Sequence, residues 1–229
     1  RGGTIVTASD RFRADIGVRD GRITDIASSI EGAKEEIDAT GLFVLPGGID
    51  AHVHLAQPTS DGTVMADDFE SGTRSAAAGG NTTVLPFAMQ VKGTSLRDCV
   101  TAYHAKADGQ CYTDVSFHLV ISDPTPQVLG QELPALVRDG YTSFKVFMTY
   151  DDLVLNDAEL LAVFDVARRE KALVMVHAEG HDAIKYMTSR LESEGKTAPY
   201  YHAEAHHQVA ERSCATRIAT APESPRGTI

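Results

Sequence analysis

Cysteine is scarce in this chain. Its three residues, Cys99, Cys111 and Cys214, are odd in number and never fall at C-x-x-C spacing, which excludes a disulfide framework or a zinc knuckle and predicts reduced packing thiols in the cytoplasm. Basic charge is short as well. Lys and Arg total 21 against 32 Asp and Glu, a formal net charge of −11, and no basic run offers itself to nucleic acid or to an anionic membrane. No apolar run approaches the ~18 residues of a membrane span, and Arg1-Gly2-Gly3 lacks the apolar segment of an export signal. An initial Met is missing too, so the sequence is expected to begin inside a longer one. These absences leave a small molecule, or another copy of the chain, as the expected partner. With 229 residues the chain can build one substantial core and a small satellite.

Two patterns divide it. Up to residue 41 the segments are short and alternating, at 4–8, 12–18, 22–27 and 36–38, with the hairpin signal Asp20-Gly21 between the second and third. They predict a small antiparallel β unit. From residue 42 onward, apolar runs at 42–45, 82–86, 114–121, 143–147 and 173–177 alternate with helical stretches at 67–78, 95–107, 127–138, 156–171 and 203–218. Gly79-Gly80 ends the first helix, Pro134 kinks or splits the third, and Asn156 to Glu159 opens the fourth as a capping box. Residues 221–227 read as a loop. Repeated βα units predict a parallel sheet or (β/α) barrel. Five such units fall short of a closed eight-stranded barrel, so the expected fold is an incomplete barrel of the TIM type.

In parallel α/β folds the chemistry sits at the C-terminal ends of the strands. The first run is followed by His52-Val53-His54, and residues i and i+2 of a strand share a face, so two imidazoles stand side by side as half of a metal site. The fifth run closes on His177. Lys145 interrupts the fourth among Phe144, Val146 and Phe147. Burial of an unpaired ammonium is costly and drives lysine toward the neutral amine, which can capture carbon dioxide as a carbamate and so become an anionic, metal-bridging oxygen ligand.

The segments FVLPGGIDAHVHL, AAAGGNTTVLPF, FHLVISDPTP, GYTSFKVFMTY, VFDVARRE and ALVMVHAE resemble, in content and order, the cyclic-amidohydrolase branch of the amidohydrolase superfamily, the bacterial hydantoinases and dihydropyrimidinases. The match runs from about residue 40 to 212. The resemblance implies a truncated amidohydrolase barrel over 42–229 and half of a β-sandwich domain over 1–41. It also implies two divalent metal ions, zinc by expectation, with His52 and His54 on the more buried ion, a carbamate on Lys145 as the bridge, and His177 on the second. Tyr150 corresponds to the tyrosine that binds substrate and polarises its carbonyl. His104, His118, His181, His202, His206 and His207 match no family ligand; His118 is the one expected to be buried near the site. The family's strand-six histidine and strand-eight aspartate have no counterpart before residue 229, and Asp50 is a poor substitute.

The implied activity is hydrolysis of a cyclic amide, a hydantoin or 5,6-dihydropyrimidine ring opened to the N-carbamoyl amino acid by a metal-bridging hydroxide. Ala56 stands where dihydroorotases carry a carboxylate-binding arginine, which disfavours a carboxylate-bearing ring. Two other readings stay open: a non-catalytic scaffold of the same fold, like the collapsin-response mediator proteins, and one part of a split barrel, inactive without its complement. Family members form tetramers, so a homo-oligomer is expected.

Overall fold

Asp20 and Gly21 both take positive φ, 51° and 72°, the pair of left-handed residues that a tight two-residue hairpin requires. In this computed structural model, which describes residues 1–59 and 62–219, that turn joins β3 (Asp15–Arg19) to β4 (Arg22–Ala27) with Arg19 opposite Arg22. A second small sheet holds β1 (Thr4–Val6), β2 (Arg11–Arg13) and β5 (Phe43–Val44) in the order β2-β1-β5. These strands lie in the first of two compact units, Arg1–Gly48, the second being Ile49–Ile229.

Several expectations for this unit are corrected. The run 12–18 divides at Ala14 between β2 and β3. Residues 36–38 form no strand, because the Asp38 carboxylate instead accepts the Thr40 N–H at 2.9 Å, a local bond that competes with a ladder. The unit is not purely antiparallel, since β5 joins β1 in parallel. The run 42–45 is therefore not the first barrel strand. Thr4 N–H donates to the Leu42 carbonyl at 2.9 Å, which draws Phe43–Val44 into the β1 ladder, and Pro46 cannot continue it. Leu42, Phe43 and Leu45 are exposed rather than buried.

The strand that carries the histidine pair is β6 (Gly48–Val53). It is followed by β7 (Asn81–Met89), β8 (Asp114–Val115), β9 (His118–Val120), β10 (Ser143–Phe147) and β11 (Leu173–His177). The order β11-β10-β9-β7-β6, with β8 beside β7, makes a curled parallel half-barrel. Runs four and five have the expected bounds. The run 114–121 is one strand in register, since Thr83 faces Asp114 and Phe87 faces His118 at the same offset. It is interrupted opposite Pro86, which has no N–H for the ladder.

The helices are α1 (Phe69–Ala78), α2 (Leu96–Ala107), α3 (Leu133–Arg138), α4 (Asp157–Glu170), α5 (His181–Ser193), α6 (Tyr200–Ala205) and α7 (Gln208–Ala219). Asn156 caps α4 through the capping box read from the sequence: its side chain accepts the Glu159 N–H at 3.0 Å, and Glu159 accepts the Asn156 N–H at 2.8 Å. Pro134 splits the third helix, with a π-helical turn over Val128–Glu132 leading into α3. The expected helix 203–218 is two helices. His206 leaves helical geometry at φ −93° and ψ 50°, and the His207 ring accepts the Val209 N–H at 3.2 Å at the start of α7. α5 is absent from the sequence expectations; its cap, Gly180, offers no side-chain oxygen to mark the start, although Ile184 and Leu191 lie buried on one face. Residues 221–227 lie outside the described residues. No described helix is long and apolar enough to cross a membrane.

Alternation along the strands sorts the two faces of the sheet. Val84, Ala88, Leu119, Phe144 and Val146 are buried in one core with Leu96, Val100, Leu133, Leu136, Leu160 and Val163 from the helices. Their neighbours in sequence, Phe87, His118, Lys145 and Phe147, share the opposite face with Met175 and His177. The residues with chemistry are thereby gathered on the concave side.

Candidate active site

His52 is the penultimate residue of β6 and His54 lies just past the strand's end, with ring centroids 5.4 Å apart. Phe87 of β7 packs against both, at 4.7 Å from His52 and stacked at 5.1 Å on His54. Asp50 does not reach the rings; its carboxylate accepts the backbone N–H of His52 at 3.1 Å and so braces the strand end. The Gln57 carbonyl lies 2.5 Å from His54 Nδ1, so Nδ1 donates and Nε2 keeps its lone pair. Both imidazoles are exposed. Loss of hydration, reinforced by the Lys145 ammonium, holds His52 below the ordinary histidine value, which favours the neutral form a metal needs.

Lys145, in the middle of β10, is 8% exposed. Its Nζ sits 5.8 Å from the Phe87 ring centroid and 5.1 Å from that of Phe147. Among the described residues it has no hydrogen-bond or ion-pair partner, and burial lowers its pKa. The amine thus meets aromatic faces where a buried cation ordinarily meets a carboxylate.

His177 ends β11, one strand over, and stacks on Phe147 at 5.5 Å. Tyr150 packs on the same pair, 5.2 Å from His177 and 5.8 Å from Phe147. Its backbone is left-handed, φ 70°, a conformation non-glycine residues adopt only where the surroundings demand it. Burial, then the Glu179 charge, raises the phenol's pKa, so it remains a hydrogen-bond donor across the neutral range. Lys145, Tyr150 and His177 line one cavity of about 470 Å³ with Glu179, His202 and His206.

The expected site residues therefore fall into two groups on one face. Lys145, Tyr150 and His177 share the cavity, while His52 and His54 pack on Phe87, whose ring Lys145 Nζ also approaches. No three His, Cys, Asp or Glu side chains among the described residues gather closely enough to hold a metal. His118 is buried, as expected: Nε2 donates to the Ala51 carbonyl at 2.8 Å and Nδ1 accepts from the Ser143 hydroxyl at 2.6 Å, which ties β6, β9 and β10 together. Sequence reasoning missed Glu179, whose two oxygens meet His177 Nε2 at 2.6 Å and His206 Nδ1 at 2.9 Å. Burial opposes that carboxylate's charge, and the two imidazole hydrogen bonds outweigh it, leaving the pKa below the ordinary value. The only sequence signal was a carboxylate two residues past His177; His206 had none.

Residues 43–218 match the sequence model of the Amidohydrolase family. The D-hydantoinase of Geobacillus stearothermophilus is 47% identical over 206 residues, 89% of this chain and 43% of that protein. The D-hydantoinase of Ralstonia pickettii is 44% identical over 204 residues, 89% of this chain and 44% of that protein. Among solved structures, the dihydropyrimidinase from Brevibacillus agri NCHU1002 superposes with a TM-score of 0.92 at 41% identity, covering 96% of this chain and 48% of that one. The chain spans about half the length of the relatives it matches.

Proposed function

The chain belongs to the Amidohydrolase family, and from that premise we propose that it carries the metal-binding half of a cyclic-amide hydrolase that opens a hydantoin or 5,6-dihydropyrimidine ring to the N-carbamoyl amino acid. The observation that carries this reading is Lys145, a buried amine with no polar partner among the described residues, one strand from His177 and beside the Phe87 ring on which His52 and His54 pack. Imidazoles and a carboxylated amine are a donor set that suits zinc and similar divalent ions.

In this reading His52 and His54 would hold one ion of a pair and His177 the other. Lys145, kept toward the neutral amine by burial, would add to carbon dioxide with loss of a proton to give a carbamate, an anionic oxygen ligand for the ions. When bound, such ions supply a hydroxide at neutral pH, by lowering the pKa of water to about 7, and polarise the carbonyl under attack. Tyr150, held protonated and pinned over His177, donates its hydroxyl hydrogen to the ring carbonyl oxygen as negative charge develops there. Phe87 and Phe147 flank the amine with their rings. Ala56, in a left-handed turn at φ 46°, brings no cationic side chain of its own to the pair, in keeping with a ring that lacks a carboxylate.

The test is metal content and ring opening on the same preparation. The chain refolded with zinc and bicarbonate is expected to bind metal and to consume hydantoin or dihydrouracil only slowly, since the family's strand-six histidine and strand-eight aspartate have no counterpart in it, whereas Lys145→Met retains neither property while staying folded by circular dichroism. A wild-type chain that emerges metal-free and inert refutes the reading.

A further inference from the structure

Glu179 makes contacts that the proposed chemistry does not call for. Its side chain is 20% exposed, and it sits between two histidines from different elements: His177 at the end of β11 and His206 after α6, themselves 31% and 19% exposed. A carboxylate only accepts, so both imidazoles donate to it: His177 through Nε2–H at 2.6 Å and His206 through Nδ1–H at 2.9 Å. The backbone agrees. The helix breaks at His206, where the ring reaches Glu179, and a new helix starts two residues later. All three residues line the cavity that holds Lys145 and Tyr150.

A neutral imidazole has one protonated and one bare nitrogen. When Nε2 carries the proton for Glu179, the lone pair of His177 is on Nδ1, and the ring cannot turn over without giving up the bond. A carboxylate held on one side only could swing; the second bond, from His206, removes that freedom. Hydrogen bonding to the outer nitrogen of a ligating histidine also makes the inner one a better donor. We propose that Glu179, locked by His206, is a positioning residue that sets the tautomer and orientation of His177 and thereby selects Nδ1 as its ligand atom. This rests on the metal-dependent reading above and adds to it a residue pair and an atom. Glu179 touches neither substrate nor metal in this role; it acts through His177.

The experiment has two readouts besides activity, both on the whole 229-residue chain. Long-range ¹H–¹⁵N correlation spectra of metal-free protein, recorded above the histidine titration range, report which nitrogen of His177 is protonated. The expected result is the Nε2–H form in the wild type and a mixture of tautomers in Glu179→Ala. Zinc affinity, from competition with a chromophoric chelator, is expected to fall about 10- to 100-fold in Glu179→Ala. Glu179→Gln keeps one acceptor for Nε2–H and should recover part of that loss, and His206→Ala should fall between Gln and wild type. A residue that only ties β11 to α6 would alter unfolding but not the tautomer. An Nδ1–H tautomer in the wild type, or zinc affinity unchanged in both Glu179 variants, overturns the proposal while zinc binding by the wild type leaves the metal-dependent reading standing. A wild-type chain with the Nε2–H tautomer and no zinc affinity refutes that parent reading, and the ligand-atom assignment falls with it.

Discussion

Lys145 and Asp15 are both charged residues in buried positions, and their surroundings oppose each other in sign. Lys145 has aromatic rings and, among the described residues, no polar partner, and burial disfavours its charge. Asp15, 6% exposed, accepts the backbone N–H groups of Gly2 at 2.8 Å and Ile30 at 3.1 Å. The Gly2 bond, then the Ile30 bond, hold its carboxyl below the ordinary 3.8, so its charge is favoured in the folded state. Between the lowered folded value and 3.8, the unfolded chain binds more protons than the folded one, and stability rises with pH. The contribution is complete above the unfolded value and is lost as pH falls through the folded one. Hydrogen exchange at Gly2 and Ile30 should accelerate, relative to the intrinsic rate, as the solution is acidified below about pH 4; in Asp15→Asn that acid-dependent part should be absent. An identical acid response in the two proteins would refute the assignment. At this scale the sequence was informative where a residue contradicted its neighbours, as Lys145 does within β10. It was silent where two ordinary residues acquire a role by meeting, as Glu179 and His206 do across 27 positions.

Elements follow the same division. β10 and β11 have the bounds read from the chain, and α4 falls one residue inside its expected bounds at each end, because their signals are local: an apolar run for each strand and a reciprocal cap for the helix. The misplaced first strand had a local signal too, but Phe43 and Val44 found a partner in β1, and which strand an apolar run pairs with is a long-range choice. The loop after β6 depends on a contact of that kind. Leu55, buried next to His54, packs over Gly72 of α1, where an added Cβ would lie 2.3 Å from Leu55 Cδ2. Helix propensity alone makes Gly72→Ala stabilising by about 1 kcal/mol. Overpacking reverses the sign, and we expect a net loss of about 1–2 kcal/mol in urea unfolding, with shifted His54 resonances. A stabilised variant would show that Leu55 moves aside freely.

For the whole molecule the open question is association. β11 and β6 end the strand order of the half-barrel, and Leu173 and Ile49 on these strands are 62% and 66% exposed. Unpaired strand edges with apolar side chains invite pairing with another chain. Light scattering coupled to size exclusion should give a mass above that of one copy, increasing with concentration; a monodisperse monomer at all concentrations would contradict this. The sequence by itself determined the repeating βα pattern, the family, and the identity of His52, His54, Lys145, Tyr150 and His177 as candidates, since periodicity and residue chemistry are written along the chain. Only the tertiary structure decided which run became the first strand of the half-barrel, that Phe87 packs on the histidine pair and lies near the Lys145 amine, and that Glu179 and His206 join the cavity of Lys145 and His177. Those are facts of distance between remote segments, settled by sheet curvature, strand pairing and the packing of α6 rather than by any local preference.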